Sequence, residues 1–156
     1  MPLKLHHRLI QRGFLAASRF TRGMTLGVRA MLIDGDRVLL AKHTYVPGWY
    51  FPGGGVEAGE SFREALVREM REEAGATLTG PEKLFGLYRN PASDPRDHVA
   101  LYVCRDFERD AAFRVPNAEI LALDSFPLSA LPENVSRGTL ARIHEVHFGE
   151  PPSADW

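Results

Sequence analysis

Thirteen residues near the middle of the chain, "FREALVREMREEA" (Phe62 to Ala74), hold the densest chemistry in the sequence. Plotted at about 100° per residue with Phe62 at zero, Ala65 falls near 300°, Leu66 near 40° and Met70 near 80°, an apolar stripe. Glu69 falls at about 340° and Glu73 at about 20°, inside that stripe, with Glu72 bordering it at about 280°. A buried carboxylate without a partner costs several kcal/mol. Two kinds of partner are open at this point. Arginines could pair with the acids, and Arg68 can reach Glu72 or Glu64 at the four-residue spacing, but it points away from Glu69 and Glu73 and does not neutralise both. A divalent cation could sit among Glu69, Glu72 and Glu73, which at i, i+3 and i+4 converge on one side. Oxygen donors of this kind suit Mg²⁺ or Mn²⁺.

The elements that position these groups are legible locally. Ser61 followed by Glu64 forms a capping box, and Gly75 suits the left-handed residue that ends a helix, so a helix is predicted from about Ser61 to Ala74. Its outer face carries Arg63, Glu64, Arg68 and Arg71. Just before it, Gly53, Gly54 and Gly55 permit close backbone approach. Their carbonyls could ligate a metal and their amides could meet phosphate. The upstream segment "TLGVRAMLIDGDRVLLAKHT" reads as a β-hairpin turning at Asp34-Gly35-Asp36. "KLFGLYR", "HVALYVCR" and "AEILALDSF" read as further strands, the loop "NPASDPRD" separates the first two, and a closing helix is predicted from about Asn134. Mixed strands with a few helices imply an α/β or α+β sandwich.

These residues resemble the box of the Nudix hydrolase family, G-x5-E-x7-R-E-U-x-E-E-x-G-U, with U a bulky aliphatic residue. Gly54 opens it. Glu60 follows after five residues, Arg68-Glu69-Met70 after seven more, and Glu72, Glu73 and Gly75 complete it; Ala76 departs only in size. The hairpin and the "WYFPGG" approach are also similar to the family. The resemblance implies a Nudix-like α/β/α sandwich with a curved mixed sheet. It further implies metal-dependent hydrolysis of a pyrophosphate bond in a nucleoside diphosphate derivative. It makes Glu69 and Glu73 the main metal ligands, Glu72 a further ligand or proton acceptor, and the Gly53 carbonyl an added ligand. Arg68 and Glu60 would orient the carboxylates. The general base would be a box glutamate or an acid of the later loop, where Asp94, Asp97 and His98 are candidates and Asp97, at a strand start, is favoured.

Substrate contacts are expected from Lys42, Tyr45, Trp49, Tyr50, Gly54 and Arg89, with His43 also able to meet phosphate. Aromatic rings suit base stacking. The sequence leaves nucleoside triphosphates, ADP-ribose and nucleotide sugars open. Two other readings stand beside the enzyme. One is a non-catalytic nucleotide-binding module, disfavoured because every box carboxylate is present. The other is an isomerase on this fold, which would want a cysteine near the box. The single cysteine, Cys104, lies on a strand and is read as structural.

The whole chain sets the frame. Its 156 residues suit one domain, and 44% hydrophobic with 25% charged residues is ordinary for a globular protein. A net charge of −1 gives no general pull toward nucleic acid. The balance is uneven, since residues 1–22 carry five basic residues and no acid, against 14 basic and 20 acidic residues in the rest. Residues 1–22 read as a basic amphipathic helix, which could pack on the domain, mediate a homodimer, lie on an anionic membrane or serve as a presequence. The domain itself is expected over 23–149, with a flexible tail at 150–156. A cytoplasmic protein acting on a small nucleotide-type molecule is expected, because no apolar run is long enough to span a membrane.

Overall fold

The computed structural model of the protein describes residues 23–156, so the N-terminal amphipathic helix and the dimer, membrane and presequence readings attached to it lie outside the described residues. Within that range the strands are β1 (Thr25–Asp34), β2 (Arg37–His43), β3 (Ala76–Leu78), β4 (Lys83–Arg89), β5 (Asp97–Cys104), β6 (Phe107–Arg109) and β7 (Ile120–Pro127). The helices are α1 (Phe62–Ala74) and α2 (Arg137–Phe148). Five strands form one mixed sheet in the order β4-β5-β1-β2-β7, with β1 and β5 parallel and the other neighbours antiparallel. No helix among the described residues is long and apolar enough to cross a membrane.

Period-two alternation along β1 builds the layers. Val28, Ala30 and Leu32 face α1, where Ala65, Leu66, Met70 and Ala74 close one core. Met31 and Ile33 face the opposite side and join Phe51, Leu101 and Ile143 of α2 in a second core. The expected sandwich, an α+β fold with a helix on each face of the sheet, is therefore what the chain adopts.

The β1–β2 hairpin departs from the expected pairing. Its register holds only at the turn, Ile33 with Val38 and Asp34 with Arg37. Beyond that the strands splay, and the segment after β2 threads between them. Ala41 and Tyr50 exchange backbone hydrogen bonds, Ala30 N–H donates to the Pro52 carbonyl at 3.0 Å, and Val28 N–H donates to the Gly54 carbonyl at 2.9 Å. Val56 N–H then returns to the Leu26 carbonyl at 2.8 Å. The open hairpin thus satisfies its inner backbone groups with the glycine segment and carries that segment to the middle of the sheet.

Two smaller differences concern the ends of the domain. Residues 107–109, to which the sequence assigns no strand, form β6, which pairs with β3 as a separate two-stranded ribbon. The tail 150–156, expected to hang free, is tied down. Trp156 N–H donates to the Arg89 carbonyl at 2.7 Å, and Arg89 Nε pairs with Asp155 Oδ1 at 2.8 Å. The Trp156 ring packs edge-on to Tyr88 and Phe51. Beneath it the buried Arg142 guanidinium lies 4.1 Å from the Tyr88 ring centre and pairs with Glu145. A tail that supplies a half-buried aromatic and several hydrogen bonds gains contacts that oppose its ordering entropy.

Candidate active site

Helix α1 begins as its sequence requires. The Ser61 hydroxyl accepts from Glu64 N–H, the Glu64 carboxylate accepts from Ser61 N–H, and Gly75 ends the helix in the left-handed conformation. With those ends fixed, the phase of the helix is set, and Glu69 and Glu73 fall on the buried side at 7% and 4% exposure. Both meet the glycine segment. Glu73 Oε2 accepts the Gly53 N–H at 2.8 Å, and Glu73 Oε1 lies 2.9 Å from His43 Nε2. A Cβ on Gly54 would stand 2.4 Å from Glu69 Oε1, so only glycine leaves room for that carboxylate. Gly53 holds φ near 140°, and a Cβ there would meet the Val28 carbonyl oxygen at 2.1 Å. The glycines are therefore demanded by two close approaches, one to an acid and one to β1.

Arg68 does not point away from Glu69, contrary to its helical-wheel position. Its Nη1 lies 2.6 Å from Glu69 Oε1, because the long stem curls back along the helix while only the Cβ obeys the wheel angle. The same guanidinium forks onto Glu60 through Nε at 2.8 Å and Nη2 at 2.9 Å, and Nη2 also reaches the Gly55 carbonyl. Hydrogen bonds from Arg68 and from Glu57 N–H pull the Glu60 carboxyl down to a pKa of about 2. Glu69 moves the other way. Burial raises its pKa, and Glu73 and Glu72 add to the rise against the opposing hydrogen bond and charge of Arg68.

Glu72 also differs from expectation. It does not converge with Glu69 and Glu73 but turns outward to Arg68 Nη1 at 3.3 Å and is exposed. At the edge of the apolar stripe it has solvent and an i−4 arginine within reach, which cost less than burial. Among the described residues no three acid, histidine or cysteine side chains form a ready cluster for a metal ion.

A cleft of about 600 Å³ opens over the buried pair. Glu69, Glu73 and Gly53 to Gly55 border it on one side, Thr25, Gly27 and Arg29 of β1 run beneath, and Asn90, Ser93, Asp97, Glu119 and Tyr45 complete the wall. Asp97 is held by Thr25 Oγ1 at 2.8 Å and Asn90 Nδ2 at 2.8 Å. Asp94 caps the Arg96 N–H within its turn, and His98 Nδ1 lies 3.4 Å from the Arg96 carbonyl. Tyr45 is 73% exposed at the rim, with its hydroxyl pKa raised by burial first and by Glu73 second. Tyr45 also borders a second cleft of about 450 Å³, with Lys42, His43, Pro47, Leu121 and Asn134.

Three expected substrate contacts lie elsewhere. Trp49 is 8% exposed and packs edge-on against Phe126, because its bridge to Val135 turns the ring into the α2-side core. The Tyr50 hydroxyl donates to the Pro47 carbonyl at 3.0 Å and braces its own loop. Arg89 is taken by Asp155 of the docked tail. Conversely, Arg29, Asn90, Ser93 and Glu119 enter the cleft without any sequence pattern that marks them, save that Arg29 is a charge in an otherwise apolar strand.

An α+β sandwich with a glycine segment between splayed strands and two buried helix glutamates above it defines one known class of protein. The chain belongs to the NUDIX domain family, whose model matches residues 23–145. An ADP-ribose pyrophosphatase of Methanocaldococcus jannaschii is 35% identical over 95 residues, 59% of this chain and 56% of that protein. An RNA pyrophosphohydrolase of Halorhodospira halophila is 55% identical over 63 residues, 37% of this chain and 35% of that protein. The chain thus spans little more than half of one such relative and about a third of the other. Among solved structures, a MutT NUDIX hydrolase from Burkholderia pseudomallei superposes with a TM-score of 0.68 at 26% identity, covering 78% of this chain and 97% of that one.

Proposed function

We propose that the protein is a divalent-metal-dependent pyrophosphohydrolase acting on a nucleoside diphosphate derivative. The observation that carries this reading is the pair of buried carboxylates, Glu69 and Glu73, seated on glycine backbone at the edge of an open cleft. The donors present fit Mg²⁺ or Mn²⁺. They are hard oxygens, and Mg²⁺ commonly takes one or two carboxylates and completes its shell with water and substrate phosphate, so a ready third carboxylate is not required. Burial and the charges of Glu73 and Glu72 raise the Glu69 pKa against the opposing pull of Arg68, which supports a place for a further cation there.

Glu69 and Glu73 would hold the ion, with the Gly53 carbonyl as a further oxygen. Bound there, a dication neutralises phosphate oxygens and lowers the pKa of an attacking water. The chain's own groups supply the rest. Gly53 N–H and His43 fix Glu73, and Arg68, braced by Glu60, fixes Glu69. Asp97, oriented by Thr25 and Asn90, is the candidate acceptor for the water's proton, since it shares the cleft while Glu72 is committed outward to Arg68. Tyr45, a phenol protonated at neutral pH, can donate a hydrogen bond at the rim. The second cleft, walled by Tyr45 and Leu121 with Lys42 at its edge, suits the nucleoside half of the substrate. The names of the relatives favour starting with ADP-ribose and 5′-phosphorylated RNA. A cytoplasmic setting accords with such substrates.

The test is turnover of a panel containing ADP-ribose, nucleoside triphosphates, nucleotide sugars and triphosphate-ended RNA, with Mg²⁺ or Mn²⁺ and products identified by phosphorus NMR. Cleavage between two phosphorus atoms in at least one member is expected. An inert panel with both ions contradicts the reading.

A further inference from the structure

The cleft holds one side chain for which the metal site gives no use. Arg29 lies on β1, the middle strand of the sheet, paired across to Leu101 of β5. It belongs to the same face as Thr25 and Gly27, which line the cleft, and Met31 and Ile33, which are buried in the α2-side core. Alternation therefore predicts an apolar side chain at position 29. A guanidinium stands there instead. Its Nη1 is buried and finds no hydrogen-bond partner among the described residues. Among the described residues that line the cleft, Arg29 is the sole cation, against Glu69, Glu73, Asp97 and Glu119. No salt bridge within 4.0 Å joins it to an acid among the described residues.

Burying a donor of a charged group without an acceptor is costly, and such a group at a site wall points to a missing ligand. The ligand must bring oxygen acceptors and negative charge, and it must fit a cleft whose opposite wall is acidic. A diphosphate does both, since its oxygens can face cations on two sides. Arginine's planar fork suits phosphate oxygens better than any other side chain. Arg29, Tyr45, Glu69, Glu73 and Glu119 all line the same cleft, so these groups share one space rather than separate ones.

We propose that Arg29 is a substrate-binding residue that anchors a phosphate oxygen of the diphosphate in the cleft it shares with Glu69 and Glu73. This rests on the reading of the cleft as a diphosphate site.

The probe is imidodiphosphate, a pyrophosphate analogue that resists cleavage, titrated with Mg²⁺ into wild type, Arg29→Gln and Arg29→Lys by calorimetry. Thermal unfolding is recorded without ligand. Arg29→Gln is expected to weaken binding roughly thirtyfold or more, the effect of removing one partner of a buried charged contact. It is also expected to raise KM for any panel member that turns over by more than it lowers kcat. Its ligand-free Tm should not fall, because an unpaired buried charge is removed; a merely structural arginine would lower Tm and leave the Kd unchanged. Arg29→Lys keeps the charge and loses the fork, so binding about threefold weaker or worse is expected. If Arg29→Gln does not fold, this second variant decides, and a wild-type Kd in it overturns the proposal. Wild type and Arg29→Gln binding equally overturn the proposal alone. Wild type failing to bind imidodiphosphate overturns both the proposal and the diphosphate reading. Arg29-dependent binding with an inert substrate panel supports the proposal and overturns only the hydrolase.

Discussion

Glu73 Oε1 and His43 Nε2 lie 2.9 Å apart, on two side chains that are each almost wholly buried. His43 Nε2 can donate to the carboxylate, while its Nδ1 is buried and has no hydrogen-bond partner among the described residues. The pair joins the end of β2 to the last turn of α1. It fixes one oxygen of Glu73 while Gly53 N–H fixes the other. The position of the acid therefore belongs to the fold.

Replacing His43 by leucine keeps bulk and removes the donor. Glu73 is then held by Gly53 alone, and the loss of a hydrogen bond to a buried charge should cost about 2 kcal/mol. Urea unfolding at neutral pH measures this. Equal stability of the variant would show that the pair contributes nothing.

Gly54 and Gly53 separate function from folding. In Gly54→Ala the new methyl meets Glu69 Oε1, the far end of a side chain, so the carboxylate should move while the fold persists. Activity on any cleaved substrate should fall by roughly a hundredfold, as expected when the geometry around a metal ligand is disturbed. In Gly53→Ala the methyl meets the backbone of β1 at a φ that disfavours side chains. Strain of about 1–3 kcal/mol or more should appear as lower Tm. Circular dichroism melts and rates on both variants check the contrast.

Glu60 gives a pH dependence of known sign. Its folded pKa, pulled to about 2 by Arg68 and the Glu57 N–H, lies below the ordinary value of 4.5. The unfolded state then binds more protons across that window, so stability falls as pH falls. The contribution of Glu60 is complete above pH 4.5 and lost toward about pH 2. Glu60→Gln should therefore be less stable than wild type at neutral pH, and the gap should close as pH falls through that window. A gap independent of pH would contradict the pairing.

Much of helix α1 is legible because it is local. A capping box, a terminating glycine and a hundred-degree period fix where the helix starts, where it stops and which way Glu69 and Glu73 face. The fate of Arg68 and Glu72 is less so, since a wheel gives Cβ directions and not where flexible stems end. The opening of the β1–β2 hairpin is invisible for another reason. Residues 37–43 carry the apolar run Val38 to Ala41, which reads as a strand whether the partner is β1 or the glycine segment. Trp49 and Arg89 were open to misreading because their neighbours, Phe126 and Asp155, are distant in sequence. The ribbon of β3 and β6 consists of three-residue strands, too short to carry a period.

The docked tail should matter to stability. Removing residues 153–156 takes away Trp156, its hydrogen bond to Arg89 and the Asp155 carbonyl that accepts from Arg142 at 2.8 Å. Loss of the partly buried indole alone should cost about 2 kcal/mol. A truncated protein that unfolds at the same denaturant concentration as the full chain would show that these contacts carry no weight.

The most direct measurement is Mn²⁺ binding followed by electron paramagnetic resonance in wild type, Glu69→Gln and Glu73→Gln. The account expects saturable binding in wild type and an affinity lowered by about a hundredfold or more in each variant, at unchanged helical content. Manganese bound equally well by all three proteins would place the ion elsewhere and contradict the carboxylate pair as the metal site.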